Sequence, residues 1–233
     1  MTTWLHEQRL EAVRAEVLDS GAQSVLDLGC GDGDLFVRLA TAPELERLVG
    51  IDICAASLER LQGRLREQAA RAGAIELRCA SMTEADPALT GFDCAVLVET
   101  IEHVEPAHLS RLERAVFGQM QPGTVIITTP NAEFNPLLGV PAHRFRHPDH
   151  RFEWPRARFR AWGQRVAAAW CYDVRFRDIA GCHPDLGGAS QMAVFRRRTI
   201  TGKQQASRVH EDAPCGEADA AIDQDAGDSR PDC

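Results

Sequence analysis

The chain has 233 residues and a formal charge of −8, a length that fits one α/β domain able to bury its own core without disulfides or an obligate partner. Residues 1–7 carry neither a basic flank nor an apolar run, and no later stretch approaches the ~20 apolar residues of a membrane span, so a soluble cytoplasmic protein with no membrane partner is expected. The eight cysteines include Cys30, Cys54, Cys79 and Cys94 in apolar or Gly-rich runs, and none forms a C-x-x-C pair, which argues for buried reduced thiols over disulfides or zinc ligands.

Along the chain, apolar spacing predicts a helix over 4–18 that stops at Ser20-Gly21. Short β-rich runs follow at 24–28, 48–52, 75–79, 94–98 and 124–129, separated by helical stretches at 35–40, 55–70 and 107–120. That alternation is the βαβ rhythm of an α/β, doubly wound, mainly parallel sheet. A helix over 159–169 leads into two strands close together in sequence, 173–177 and 191–197, which fit a terminal antiparallel pair and bring the sheet to seven strands. No internal repeat is present.

Charge is distributed unevenly. Of 34 acids and 26 lysines and arginines, eight acids and three bases lie in 199–233, where few large apolar residues occur. This segment is expected to be a disordered acidic tail behind a domain covering 1–198. The domain then holds 26 acids and 23 bases, and residues 141–177 alone carry nine arginines against Asp149, Glu153 and Asp173. A basic face on a mildly acidic body follows.

The first strand runs into Asp27-Leu28-Gly29-Cys30-Gly31-Asp32-Gly33-Asp34-Leu35, where glycines allow a tight turn and close approach to a nucleotide-like ligand. With Gly29 and Gly31 as the first glycines of a dinucleotide fingerprint, the third falls on Asp34, which counts against NAD or FAD. Asp27 would repel a pyrophosphate but suits the ammonium of a methionine moiety. Asp52 ends the second strand, where a carboxylate can accept both hydroxyls of a ribose, and Ser81 and Met82 follow the third, where an adenine would lie. These placements agree on S-adenosylmethionine. Across 25–197 the chain resembles the class I S-adenosylmethionine-dependent methyltransferases, and the resemblance implies a Rossmann-like fold.

Beyond the fourth strand, Glu99, Glu102 and His103 stand at i, i+3 and i+4, a spacing that would converge their side chains on one helical turn. Two carboxylates and an imidazole suit Mg²⁺ or Mn²⁺ better than zinc. This E-x-x-E-H pattern also resembles methyltransferases of small quinone precursors. The fifth strand ends in Thr128-Thr129-Pro130-Asn131-Ala132-Glu133-Phe134-Asn135, and the connection over 131–146 leads to His147-Pro148-Asp149-His150-Arg151-Phe152-Glu153-Trp154. A loop with two histidines at this point reaches the carboxyl edge of the sheet, where ligands bind, and His150 could complete a metal site.

In this order and spacing, E-x-x-E-H, T-T-P-N-x-E-F-N and D-H-x-F-E-W resemble the Hua-enhancer family of small-RNA methyltransferases, as does the stretch 187–197. The resemblance implies methyl transfer from S-adenosylmethionine to the 2′-oxygen of the terminal nucleotide at an RNA 3′ end. It implies a divalent ion on Glu99, Glu102, His103 and His150, with His147 outside the ligand set and with Glu102 and His103 closest to the chemistry; His103 or another nearby imidazole would take the proton. Arg144, Arg146, Arg151, Arg156 and Arg158 would neutralise phosphates. Phe134, Phe145 or Trp154 would stack on a base or pack, with packing favoured for Trp154. Little chain precedes the first strand, so further RNA-binding surface is expected either to come from a partner, such as an RNA repair or processing protein, or to be absent. The RNA itself could be a small silencing RNA or a tRNA fragment. Two other readings use the same residues: a metal-assisted O-methyltransferase for a catechol-like molecule, which has no need of D-H-x-F-E-W, and a non-catalytic RNA-end binding module.

Overall fold

The computed structural model describes residues 3–68, 70–84 and 86–198; the acidic segment 199–233, expected to be disordered, lies outside the described residues. Five parallel strands, β1 (Ser24–Leu28), β2 (Arg47–Asp52), β3 (Ala74–Cys79), β4 (Cys94–Val98) and β5 (Thr124–Pro130), are followed by β6 (Tyr172–Ile179) and β7 (Ser190–Arg197). The sheet order is β3-β2-β1-β4-β5-β7-β6, with β7 inserted between β5 and β6 and antiparallel to both. The architecture is the seven-stranded, doubly wound sheet with a terminal antiparallel pair expected from the sequence.

Central strands are buried on both faces, which is why they read as nearly continuous apolar runs. On β4, Cys94 and Val96 join one core while Ala95 and Leu97 join the other; on β7, Met192 and Val194 oppose Ala193 and Phe195 in the same way. Helices α1 (Trp4–Asp19), α2 (Phe36–Leu39) and α3 (Ala55–Glu67) cover the first face through Leu10, Val13, Phe36 and Leu61. The second face is covered by α4 (Leu109–Glu113) and α5 (Arg156–Trp170) through Leu112, Phe159, Trp162 and Val166.

The helix expected over 107–120 is broken. A 3-10 turn at Pro106–His108 precedes α4, which then widens into a π-helical segment, Arg114–Met120. Gly118 within that segment lies against Trp170 of α5, and a Cβ there would come within 2.6 Å of the Trp170 ring. The cysteine expectation holds for Cys30 and Cys94, which are buried and free, but Cys54 and Cys79 are exposed. Cys54 is the residue before α3 and Cys79 ends the edge strand β3, so neither is covered by a neighbouring element.

Because β1 to β5 are parallel, the loops after Leu28, Asp52, Cys79, Val98 and Pro130 all open at one edge of the sheet. Helix α1 also reaches that edge. Its N-terminus is capped by Thr3, whose hydroxyl accepts from the His6 N–H, and its body is tied to β6 by the buried Glu16, which accepts from Arg175 and Arg177. No helix among the described residues is long and apolar enough to cross a membrane.

Candidate active site

The glycine loop after β1 is folded by backbone needs that the sequence meets. Gly29 has φ +80°, and a Cβ there would lie 2.5 Å from Thr100 Cγ2, so only glycine fits. The Gly29 and Cys30 N–H groups donate to the Ile51 carbonyl at 2.8 and 3.0 Å, and Gly31 N–H donates to Asp52 Oδ2 at 2.8 Å. The second oxygen of Asp52 accepts from Cys54 N–H at 2.8 Å, so this carboxylate stitches the loop to the end of β2. Asp32 and Asp34 turn outward to Arg60 and Arg64. Asp27 is only 3% exposed; burial, reinforced by the charge of Asp52, pushes its pKa up to about 7. Ser81 shares a 2.8 Å hydrogen bond with Thr83, and Met82 packs half-buried against the core. Asp27, Gly29, Gly31, Asp52, Ser81 and Met82 therefore all stand at or just beyond the carboxyl ends of β1, β2 and β3.

Glu99, Glu102 and His103 follow β4, but not on an α-helical turn as their spacing suggested. Glu99 has φ +50°, and only Ile101–His103 form a single 3-10 turn. The chain must leave β4 and bend over the end of β5, where the Glu99 N–H donates to both oxygens of Thr128 at 3.1 Å. A left-handed non-glycine residue costs roughly 1–3 kcal/mol and persists where the surroundings impose it, often at functional sites. Glu102 is fully buried; its Oε2 accepts from the Thr129 hydroxyl at 3.0 Å. Its Oε1 and the Oε1 of Glu99 are buried without any partner. Burial, followed by the charge of Glu99, holds the Glu102 carboxyl well above the usual carboxylate range. Arg9 of α1 pairs with Glu99 at 3.2 Å and also donates to Ser190.

Three imidazoles form a cluster of their own, which the carboxylate oxygens of Glu99 and Glu102 do not join. The ligating atoms of His103, His147 and His150 all lie within 4.8 Å of one another, and the His103 and His150 ring centroids are 4.8 Å apart. Burial first, then the His150 ring, pulls the pKa of His103 below the ordinary imidazole value. The histidine loop is stitched to the turn after β4, since Arg151 N–H donates to the Glu102 carbonyl at 2.7 Å. His150 Nδ1 lies 2.6 Å from Glu153 Oε1. Glu153 also accepts from Asn135 at 2.6 Å and from the Arg146 N–H at 2.7 Å; burial raises its pKa, but these bonds outweigh it and hold the carboxyl below its usual range.

Two of the five candidate phosphate-binding arginines are spent inside the protein. Arg146 donates to Asn135, Ala189 and Asn131, and Arg156 to Glu133, Asp178 and the Asp185 carbonyl. Arg151 pairs with Glu105 at 3.1 Å on the surface, Arg144 is exposed, and Arg158 is exposed with its guanidinium 5.2 Å from the Trp154 ring centre. Among the candidate stacking residues, Phe134 is buried with Ala180 and Ala189, and Trp154 is buried and stacked on Phe152 with centroids 4.2 Å apart. Phe145 is 47% exposed, beside the exposed Leu137 and Leu138 in the same connection.

The sequence matches the methyltransferase domain family over residues 25–123. In structure it is similar to the methyltransferase domain of bacterial CtHen1, with 35% identity and a TM-score of 0.75 over 84% of this chain and 100% of that one. The chain belongs to the Hua-enhancer family of small-RNA methyltransferases. It is also similar to the small RNA methyltransferase HEN1, with 32% identity and a TM-score of 0.77 over 83% of this chain and 26% of that one. A small RNA 2′-O-methyltransferase of Gallus gallus is 38% identical over 206 residues, 83% of this chain and 54% of that protein. The chain thus spans about half the length of the curated relatives it matches first.

Within this family member, Arg9 was not singled out in the sequence, and His147 was singled out only as a residue outside the ligand set. Arg9 lies 90 residues before Glu99, in a helix whose sequence gives no sign of a place at this site. His147, which the resemblance left outside the ligand set, lies with the other two imidazoles. Its proximity to His150 in sequence was the only signal. The electrostatics of the pair lead to a stability test: Glu102→Gln keeps an acceptor for Thr129 but removes a buried charge next to Glu99. The metal-free variant should melt a few degrees above the wild type by calorimetry, and an equal or lower Tm would contradict a strained carboxylate pair.

Proposed function

We propose that this chain transfers the methyl group of S-adenosylmethionine to the 2′-hydroxyl of the 3′-terminal nucleotide of an RNA, using a divalent cation held by Glu99, Glu102, His103 and His150. Two observations support the reading: the buried, partnerless oxygens on Glu99 and Glu102, and the cluster of three imidazoles that begins at His103, the residue after Glu102, without including either glutamate. Buried carboxylate oxygens without partners are costly, and a cation that reached both would offset that cost. The donor set fits such an ion. Two carboxylates with two or three imidazoles favour Mn²⁺ over Mg²⁺, which takes oxygen ligands almost exclusively. When bound, the cation would supply Lewis-acid stabilisation to a developing ribose alkoxide.

The chain's own residues do the rest. Asp27 would pair with the ammonium of the cofactor and Asp52 with its ribose, while Gly29 and Gly31 let the backbone come close; Ser81 and Met82 would border the adenine. Burial, followed by the His150 ring, lowers the pKa of His103 and so favours the neutral form, in which an imidazole binds a cation or accepts a proton. Arg144 and Arg158 remain as exposed cations for phosphates, Arg151 is exposed but already paired with Glu105, and Phe145 offers an exposed ring for the terminal base. Only a terminal ribose has two free vicinal hydroxyls, so a site that takes both selects 3′ ends.

Labelled S-adenosylmethionine, Mn²⁺ and a panel of RNAs test this directly. RNA with a free 2′,3′-diol should be methylated, whereas 2′-deoxy, 3′-deoxy and 3′-phosphate ends should react at least a hundredfold more slowly, and chelator should abolish transfer. Efficient reaction of the 3′-deoxy end would contradict the diol requirement, and turnover of a catechol with inert RNA would favour a small-molecule enzyme.

Asp27 adds a pH test. Its pKa in the ligand-free protein is about 7. A cationic ligand favours the ionised form, so affinity for S-adenosylmethionine should be full above that value. It should then fall by up to about tenfold per pH unit as pH drops below 7, because a proton must first leave. Asp27→Asn should bind weakly at every pH; a flat wild-type profile by calorimetry between pH 8 and pH 6 would rule out the pairing.

A further inference from the structure

The hydrogen bonds around His150 have a direction that can be traced from one end to the other. Arg146 Nε only donates, so the Asn135 atom 2.5 Å away from it is the carbonyl Oδ1. That turns Asn135 Nδ2 towards Glu153 Oε2, at 2.6 Å, where it donates. On the other oxygen, Glu153 accepts the Arg146 backbone N–H at 2.7 Å. Both oxygens of Glu153 therefore act as acceptors, and the ring nitrogen 2.6 Å from Oε1, His150 Nδ1, must bring the hydrogen. In a neutral imidazole the lone pair then belongs to Nε2. Arg146 is itself fixed, because its Nη atoms donate to the carbonyls of Ala189 at the start of β7 and Asn131 just after β5.

We propose that Glu153, held in place by Asn135 and Arg146, is a positioning residue that locks His150 in its Nδ1–H tautomer and so leaves Nε2 as the free donor of the imidazole cluster. The inference about the tautomer stands on the hydrogen bonds alone; its consequence for a cation rests on the function proposed above. It gives the motif residues Asn135 and Glu153 a common task, since the two side chains and the Arg146 backbone converge on one carboxylate that faces one ring nitrogen. It also explains why Arg146 is withdrawn from the surface, although its neighbours Arg144 and Arg151 are exposed. A histidine ligand oriented in this way by a carboxylate gains basicity at its free nitrogen, and loss of such a partner costs about 10–100-fold in metal affinity.

The test uses the full chain with ¹⁵N-labelled histidine rings, free of metal and at a pH where imidazoles are neutral. Long-range ¹H–¹⁵N spectra should show His150 with a protonated Nδ1 and an unprotonated Nε2. In Glu153→Ala the ring should drift to the Nε2–H form that imidazole prefers in water. Glu153→Gln should keep the wild-type tautomer, because the Arg146 N–H and the His150 ring both turn the amide carbonyl towards themselves. Mn²⁺ affinity should fall about 10–100-fold in Glu153→Ala and much less in Glu153→Gln, with S-adenosylmethionine binding kept in both as proof of folding. An Nε2–H His150 in the wild type, or an unchanged tautomer in Glu153→Ala, would overturn the proposal. If the tautomer behaves as expected but the wild type binds no Mn²⁺, the proposed cation falls and the locking role stands.

Discussion

A fully buried carboxylate, Glu102, stands against the charge of a partly buried one, Glu99, and the edge of this sheet is organised around that cost. Glu99 and Glu102 lie within one turn after β4, each with an oxygen that meets no donor. What keeps them there comes from distant parts of the chain. Arg9 arrives on α1, which is itself fastened by the buried Glu16 to two arginines of β6. Thr129 arrives on β5. Arg146 sits in the loop beyond; its burial lowers its pKa, and the charges of Glu99 and Glu153 counter that loss. A fold that spends this many contacts on an incompletely neutralised pair accepts local instability there, which the proposed cation would relieve.

The sheet order fixes how the two halves of the proposed reaction face each other. Ends of β1, β2 and β3 hold the glycine loop and the carboxylates assigned to the methyl donor, while the ends of β4 and β5 hold the glutamates and the loop of imidazoles. Insertion of β7 next to β5 has a further effect at that edge. It brings Ala189 and Ser190 against Asn131 and Arg9, and Asn131 binds the carbonyls of Leu186 and Gly188, so the last strand braces the connection that carries the histidines. Glu133 finishes the brace by accepting from the first residue of α5, Arg156.

The strands could be read from the sequence because each central strand is apolar on both faces, and the glycine loop because Gly29 has a conformation and a neighbour, Thr100, that leave no room for a Cβ. The residue types of the site were equally legible; their geometry was not. A spacing of three and four residues suggests a helix, but the positive φ of Glu99 is imposed by Thr128 on the next strand, and no local signal encodes it. Nothing in a run of arginines separates Arg146 and Arg156, which are consumed by partners far away in sequence, from Arg144 and Arg158, which stay exposed. Phe134 and Phe145 differ in the same hidden way. Arg9 could not have been found at all, since its role exists only once α1 is laid across the sheet.

The central claim is that imidazole nitrogen and glutamate oxygen meet on one cation at this edge. Pulsed electron paramagnetic resonance of the full chain loaded with one equivalent of Mn²⁺, with ¹⁵N-labelled histidine, measures this without reference to turnover. The account predicts nuclear modulation from at least two imidazole nitrogens, lost in a His103→Ala/His147→Ala/His150→Ala variant that still binds S-adenosylmethionine. Tightly bound Mn²⁺ with no histidine modulation, or modulation that survives the triple substitution, would contradict it.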